Sequence, residues 1–459
     1  DLKDRVAAAL DQLHTSSMLP ILGVLPEIRS ALKSRSNLLL EASPGAGKTT
    51  VVPLALLEEG SSWQSSGCTA SIAIPSIVVV EPRRVAARSA AQRMASSLGE
   101  SPGATVGYAF RGEVKSSDRT KVLVMTDGVL LNRLRDDPEL NGVDAVIFDE
   151  FHERGVDSDT ALALCREAQR FLRPELRLIV MSATLLGDED DTQDAGGPAS
   201  MGAKLVHALG GDQECQIIRS DGRQYPVEVR WAVAGRPLSA LLARQEWLVN
   251  SMCDAIGEAL DIAPSDGDVL AFLPGAREIR KVVQELYERG TQAEVLPLYG
   301  SLPKSEQDYA IYPPANQFVR RVIVSSPIAE ASLTLPRVTC VVDSGLRREP
   351  RCDVDTGMPR LVTVRCSKDS AVQRAGRAGR VQSGLCLHLY SKSDFEAFAQ
   401  HSPPEILSTD LTPTALRLLE WGCSGPAEIR TNVPFVDAPP EDALSNAFQV
   451  LVDLEAVVQ

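Results

Sequence analysis

A short apolar run, Leu38 to Leu40, leads straight into Ala42-Ser43-Pro44-Gly45-Ala46-Gly47-Lys48-Thr49. A strand, a glycine-rich loop and a helix in that order make a phosphate cradle. The glycines let backbone N–H groups turn inward, the lysine adds charge at the β and γ phosphates, and the threonine hydroxyl can reach Mg²⁺. Ala42 stands where the strict spacing has glycine. Gly45, Ala46, Gly47, Lys48, Thr49 and Thr50 are the candidate ATP-binding residues.

Such a loop needs a buried parallel sheet behind it, and the chain supplies apolar runs of the right length: Ile77 to Val80, Val122 to Met125, Ala145 to Phe148 and Leu178 to Met181. Helix-like stretches alternate with them, as crossover connections require. Leu19, Ile21, Val24, Leu25, Ile28 and Leu32 predict an amphipathic helix before the first strand. A second alternating set follows Tyr225-Pro226: Val269 to Leu273, Glu294 to Leu298, Val322 to Ser325 and Thr339 to Val342. With 459 residues the chain exceeds the roughly 250 to 300 at which single cores stop growing. We therefore expect an α/β protein with two tandem parallel-sheet domains, 1–222 and 223–397. A helical segment, 398–459, follows, with Leu411 to Trp421 and Glu441 to Leu454 as its helices. The polar stretches Gly60 to Ser71 and Gly187 to Gly197 read as surface insertions.

Composition narrows the class. Lys and Arg number 47 against 61 Asp and Glu, a net charge of −14, so any nucleic acid must lie in a local basic groove. The nine cysteines are scattered and never spaced CxxC, which predicts reduced thiols in an intracellular protein, cytoplasmic by default, with nucleus or organelle left open. No run reaches the roughly 20 apolar residues of a membrane span.

Two further motifs bear on chemistry. Asp149-Glu150-Phe151-His152 directly follows the run Ala145 to Phe148, so Asp149 can hold Mg²⁺ and Glu150 can orient the attacking water. Gln373-Arg374-Ala375-Gly376-Arg377-Ala378-Gly379-Arg380 lies in the second domain. Its spacing by three predicts arginines on one face of a helix, with Arg377 and Arg380 placed to stabilise phosphoryl charge.

These motifs, with Glu81-Pro82-Arg83-Arg84, Thr126-Asp127-Gly128, Ser182-Ala183-Thr184, Phe272-Leu273-Pro274-Gly275 and Ile328-Ala329-Glu330-Ala331-Ser332-Leu333-Thr334, make the chain resemble the DEAH/RHA family of superfamily 2 helicases over nearly its whole length. Phe151 and Gly222-Arg223-Gln224-Tyr225-Pro226 favour its bacterial HrpB-like branch. The resemblance implies two RecA-like domains with an NTPase cleft between them, then the beginning of a winged-helix domain. It implies an ATP-dependent RNA helicase or remodeller of RNA–protein complexes, moving 3′ to 5′ on single-stranded RNA. By the same resemblance His152 couples to Gln373, and Ser182 and Thr184 link hydrolysis to domain movement. Arg83, Arg84, Arg111, Thr126, Gly275 and Ser326 contact RNA backbone, and Arg93 and Asp343 lie near the nucleoside. Arg347 to Thr363 forms a strand-parting hairpin turning at Asp355-Thr356-Gly357.

The chain departs from the family at Ser326-Pro327, where members usually have Thr-Asn, and at Ile311, where they have an aromatic for the base. The second departure predicts a weak grip on adenine and use of other NTPs. Two alternatives stay open at this stage: a DNA helicase, since phosphate contacts barely read the sugar, and an RNA-binding scaffold with a decayed ATPase.

Overall fold

The computed structural model describes residues 2–16, 19–59, 76–184, 200–220, 222, 225–264, 266–312, 319–330, 333, 335, 337–352 and 359–457. The polar stretches read as insertions, and the turn of the expected hairpin, lie outside them. By internal contacts the chain divides into two units, Asp1–Gly222 with Pro403–Gln459, and Arg223–Ser402.

The first unit is built on an eight-stranded sheet. Its strands are β1 (Asn37–Ala42), β2 (Ile77–Glu81), β3 (Val106–Phe110), β4 (Glu113–Lys115), β5 (Val122–Thr126), β6 (Ala145–Phe148), β7 (Arg177–Ser182) and β8 (Cys215–Ser220), in the order β4-β3-β5-β2-β6-β7-β1-β8. Every pairing is parallel except β3 with β4. Side chains alternate between two cores. Leu38, Leu40, Ile77, Val79, Ile147 and Ile179 pack on one face, while Leu39, Val78, Val80, Val146, Phe148, Leu178 and Val180 pack on the other. Burial on both faces is why these strands read as continuous apolar runs instead of alternating ones.

Residues from Pro403 onward join the second of those cores. Ile406, Leu411, Ala415, Leu418, Leu444 and Leu451 are buried together with Leu130, Leu134, Leu162 and Cys165 of the first unit's helices. The helices Thr412–Trp421 and Glu441–Asp453 lie where the amphipathic pattern predicts them. The opening helix runs Ile21–Ser34, preceded by a second one, Leu2–Ser16, that the pattern reading did not pick out.

The second unit carries a six-stranded sheet. Its strands are β9 (Val227–Arg230), β10 (Asp268–Phe272), β11 (Glu294–Leu298), β12 (Arg321–Ser325), β13 (Val338–Asp343) and, after the hairpin, β16 (Gly384–His388). Their order is β11-β12-β10-β13-β16-β9, all parallel. The hairpin consists of β14 (Leu346–Cys352) and β15 (Pro359–Arg365), paired antiparallel from Leu346 with Arg365 to Cys352 with Pro359.

Candidate active site and nucleic-acid interface

In a parallel sheet all strand ends of one kind share an edge, and loops leaving the carboxyl edge converge there. The phosphate loop leaves β1, Ser182 ends β7, Asp149 follows β6, Glu81 ends β2 and Thr126 ends β5. With β6, β7 and β1 consecutive in the sheet, motifs about 100 residues apart in sequence become neighbours.

Gly45 and Gly47 adopt φ of 89° and 92°, in the left-handed region that favours glycine, and the helix Lys48–Glu59 starts directly behind them. Ala46, Lys48 and Thr50 are buried. The Lys48 ammonium lies 3.1 Å from Glu150 Oε1 and 3.7 Å from Asp149 Oδ1. Burial pulls its pKa down, but the Glu150 and Asp149 carboxylates outweigh that and raise it, so Lys48 stays charged. The Thr49 hydroxyl donates to Asp149 Oδ2, and the Glu150 N–H donates to Asp149 Oδ1 at 2.8 Å.

Glu150 (φ 50°) and Arg154 (φ 48°) are both left-handed, a conformation that costs a side-chain-bearing residue about 1–3 kcal/mol. They bracket the 3₁₀ turn Phe151–Glu153, which is anchored by Phe151 edge-on to Phe148 with centroids 6.2 Å apart. His152 Nδ1 lies 3.6 Å from Glu150 Oε2 and accepts from the Ala183 N–H at 3.5 Å. Within the first unit, then, His152 joins the acidic motif to Ser182-Ala183-Thr184. There the Ser182 hydroxyl donates to the Thr184 carbonyl and accepts the Thr184 N–H.

Arg83 precedes the helix Arg84–Ser97 and forms an ion pair with Glu153 at 3.0 Å. Arg84 and Arg93 are exposed on that helix, and Arg111 is exposed in the tight turn between β3 and β4. Arg83, Arg84 and Thr126 share the carboxyl edge of the sheet with the phosphate loop.

In the second unit the arginine motif departs from the expectation of one helical face. The helix Lys368–Ala375 ends before it is complete, so of its arginines only Arg374 is helical, with Gln373 and Ala375, while Arg377 and Arg380 sit in the turns beyond. Gly376 and Gly379, poor helix formers, fall where the α-helix gives way to i→i+3 bonds such as Arg377 N–H to Arg374 O at 3.0 Å. Those turns bring Arg377 to the carbonyls of Glu330 and Leu333, and Arg380 to Leu333 O at 3.2 Å.

Ser326 caps the turn Pro327–Ala329, accepting the Ile328 N–H at 3.5 Å. Pro327 occupies the first position of that turn, where an N–H would find no intrahelical partner, so the departure from the family costs no backbone bond. Gly275 begins the helix Ala276–Glu288 close under the hairpin, where an added Cβ would come within 2.9 Å of Arg348 Nε.

Asp343 is fully buried. It accepts from Arg374 Nη1 at 2.9 Å, the Tyr390 hydroxyl at 2.8 Å and the Gly345 N–H at 3.0 Å. Although burial alone would raise its pKa, Arg374 and His388 hold it well below the usual carboxylate range.

Motif spacing did not single out Glu81, Arg154 or Arg374. Glu81 is fully buried, and burial together with the nearby Asp149 and Glu150 charges pushes its carboxyl well above the normal range. Arg154 and Arg374 are almost wholly buried among carboxylates. Each lies within two residues of one that was singled out, Arg83, His152 and Gln373 respectively, which was the one available hint.

Two tandem parallel-sheet units, the first with a phosphate loop facing an acidic pair and the second with an arginine motif, define the helicase class. The DEAD/DEAH box helicase family model matches residues 25–192, and the helicase conserved C-terminal domain model matches 251–382. The chain belongs to the DEAD/DEAH box helicases. Within them it is of the DEAH/RHA type, on the HrpB-like branch. It is 40% identical over 442 residues to the ATP-dependent RNA helicase HrpB of Escherichia coli (strain K12), which covers 96% of this chain and 49% of that protein. It is 32% identical over 453 residues to the ATP-dependent RNA helicase DHX33 of Drosophila melanogaster, covering 96% of this chain and 58% of that one. The crystal structure of the Escherichia coli DEAH/RHA helicase HrpB superposes with a TM-score of 0.80 over 96% of this chain and 51% of that one. Both units are thus RecA-like. The chain spans about half the length of HrpB.

Proposed function

We propose that this chain is an ATP-driven motor that moves along, or remodels, single-stranded RNA or RNA–protein complexes. One observation carries the reading: buried Lys48, Asp149 and Glu150 and half-buried Thr49 form a single cluster behind left-handed glycines at the carboxyl edge of a parallel sheet. Decay of an ATPase would be expected to break such a cluster, and here each member keeps a partner.

The phosphate-loop N–H groups and Lys48 bind the β and γ phosphates. Thr49 and Asp149 offer a hydroxyl and a carboxylate in direct contact, a hard-oxygen donor pair that fits Mg²⁺. When bound, Mg²⁺ neutralises phosphate oxygens. Glu150 orients the attacking water and draws off its proton, with Lys48 holding one carboxylate oxygen and His152 lying 3.6 Å from the other. From the second unit Arg377 and Arg380 contribute positive charge and Gln373 a neutral amide.

Arg83, Arg84, Arg111, Thr126, Gly275 and Ser326 contact phosphate and ribose, and the 3′ to 5′ polarity follows the family resemblance. RNA is preferred over DNA because the relatives are named RNA helicases. Among the described residues no helix is long and apolar enough to cross a membrane, and the buried cysteines fit a reducing, cytoplasmic setting.

The test is steady-state NTP hydrolysis with and without single-stranded RNA or the matched DNA, on the native chain and on Glu150→Gln. RNA-stimulated turnover that falls by about 10²- to 10⁴-fold in the variant is expected. An equal response to DNA would favour the DNA reading, and absence of turnover would favour a scaffold.

A further inference from the structure

The residue after the acidic motif's turn is gripped from a distant part of the chain. Arg154 is 1% exposed. Its Nε and Nη2 donate to the two Asp159 oxygens at 2.9 and 2.7 Å, and Nη2 also reaches Asp437 Oδ2 at 2.8 Å. Asp437 belongs to the helical segment from Pro403 onward, and its other oxygen pairs with Lys204 at 2.5 Å.

The same segment holds the backbone here. The Glu405 N–H donates to the Arg154 carbonyl at 3.0 Å, and the Glu405 carboxylate accepts the Val156 N–H, also at 3.0 Å. That carboxylate caps the start of the helix Val156–Phe171, where orphan N–H groups and the helix dipole favour a negative charge. The guanidinium also lies over the Phe151 ring, 5.8 Å from its centroid.

The turn carrying the hydrolytic residues is therefore fixed at both ends. At Glu150 it is held by Lys48 and Asp149, and at Arg154 by side chains some 250 to 280 residues further along. Two left-handed residues in five keep such a turn only if their surroundings over-determine it. Asp159 takes two of the guanidinium's bonds from within its own helix, whereas Glu405 and Asp437 tie the turn to the helical segment.

We propose that Glu405 and Asp437 are positioning residues for nucleotide hydrolysis: the helical segment, which carries no phosphate-binding motif, sets the geometry of Glu150 and His152 by clamping Arg154 and Val156. This rests on the hydrolytic reading of the site. It also gives whatever binds or moves the helical segment a direct route to the hydrolytic turn.

The test uses the full chain with Asp437→Asn, Glu405→Ala and both together, and Arg430→Gln as control, since Arg430 belongs to the same segment but pairs with Glu441 at the surface. In the double variant kcat is expected to fall about tenfold with KM for ATP moving less than twofold, because misplacement of a catalytic group costs turnover more than binding. Amide exchange across residues 149–157 should speed up in parallel, with Arg430→Gln native-like in both measures. Native kcat and native exchange across 149–157 in the folded double variant would overturn the proposal. If the native chain itself hydrolyses nothing, the hydrolytic reading falls and the exchange comparison alone decides the clamp. If the double variant does not fold, Asp437→Asn, which keeps the side chain's shape, carries the same comparison.

Discussion

Arg374→Met is the substitution whose consequences the structure specifies most fully. The guanidinium is completely buried and spans four elements of the second unit, donating to Glu330 Oε2 at 3.0 Å, Asp343 Oδ1 at 2.9 Å and the Leu346 carbonyl at 3.2 Å, while lying 5.2 Å from the Phe272 ring centroid. Methionine fills comparable space but leaves Asp343 buried without its cation. Removing one partner of a buried pair costs about 3–5 kcal/mol, whereas removing both is far milder. At about 2–4 °C per kcal/mol for a unit of this size, the second unit should melt roughly 10 °C lower.

Adding Asp343→Asn should recover about 2 kcal/mol, the signature of direct coupling. The pH dependence gives a second signature. In the native chain Asp343 titrates well below its unfolded value, so its contribution is complete above about pH 4 and is lost only as the solution becomes more acid. Without Arg374, burial dominates and the folded pKa rises above the unfolded one. The variant then loses stability as pH increases, and its deficit against the native chain should be largest at pH 8 and shrink towards pH 5.

Urea unfolding would be followed by amide exchange across Val338–Asp343 and by fluorescence of Trp231, which stacks on His388 at 4.5 Å beside Asp343. A cost under about 1 kcal/mol, or a double variant no better than the single, would mean that Arg374 does not neutralise Asp343 in the folded chain.

Two further outcomes follow from other side chains. Asp127, at the start of the helix Asp127–Asp136, is pushed up to about 7 by burial, against a hydrogen bond from Ser158. The folded state therefore binds more protons than the unfolded between about pH 4 and 7, so stability falls as pH rises through that window, by at most about 4 kcal/mol. Asp127→Asn should melt higher than the native chain at pH 8 and gain little at pH 5, and equal melting at pH 8 would count against this. As for nucleotide choice, Ile311 is buried and offers no aromatic face, although Tyr312 beside it is 43% exposed. A missing stack of about 0.5–1.5 kcal/mol leaves ATP at most about tenfold better than GTP, CTP or UTP in kcat/KM, and a larger preference would restore an aromatic contact to the account.

What could be read in advance follows from how far each interaction reaches along the chain. Strands buried on both faces announce themselves as apolar runs, so β1, β2, β5, β6 and β7 were visible in outline. β8 alternates between buried and exposed residues, β9 is largely exposed, and β16 opens on a glycine and ends on a histidine, and none of them stood out. The phosphate loop and acidic pair were legible because their geometry is local: glycines with positive φ behind one strand, and a carboxylate at the end of another.

The arginine motif misled because spacing by three is common to an α-helix and to successive 3₁₀ turns, and only the glycines marked where one gives way to the other. Arg154 and Arg374 show the stricter limit. A guanidinium looks like a surface group until the carboxylates that neutralise it are known. For Arg154 one of them, Asp437, lies 283 residues away. The amphipathic faces of Thr412–Trp421 and Glu441–Asp453 said that these helices must pack, but not on what. That they pack on the first unit, and reach the hydrolytic turn through Glu405 and Asp437, is a property of the tertiary fold alone. Substitutions at these two positions should therefore matter more than any local motif would suggest.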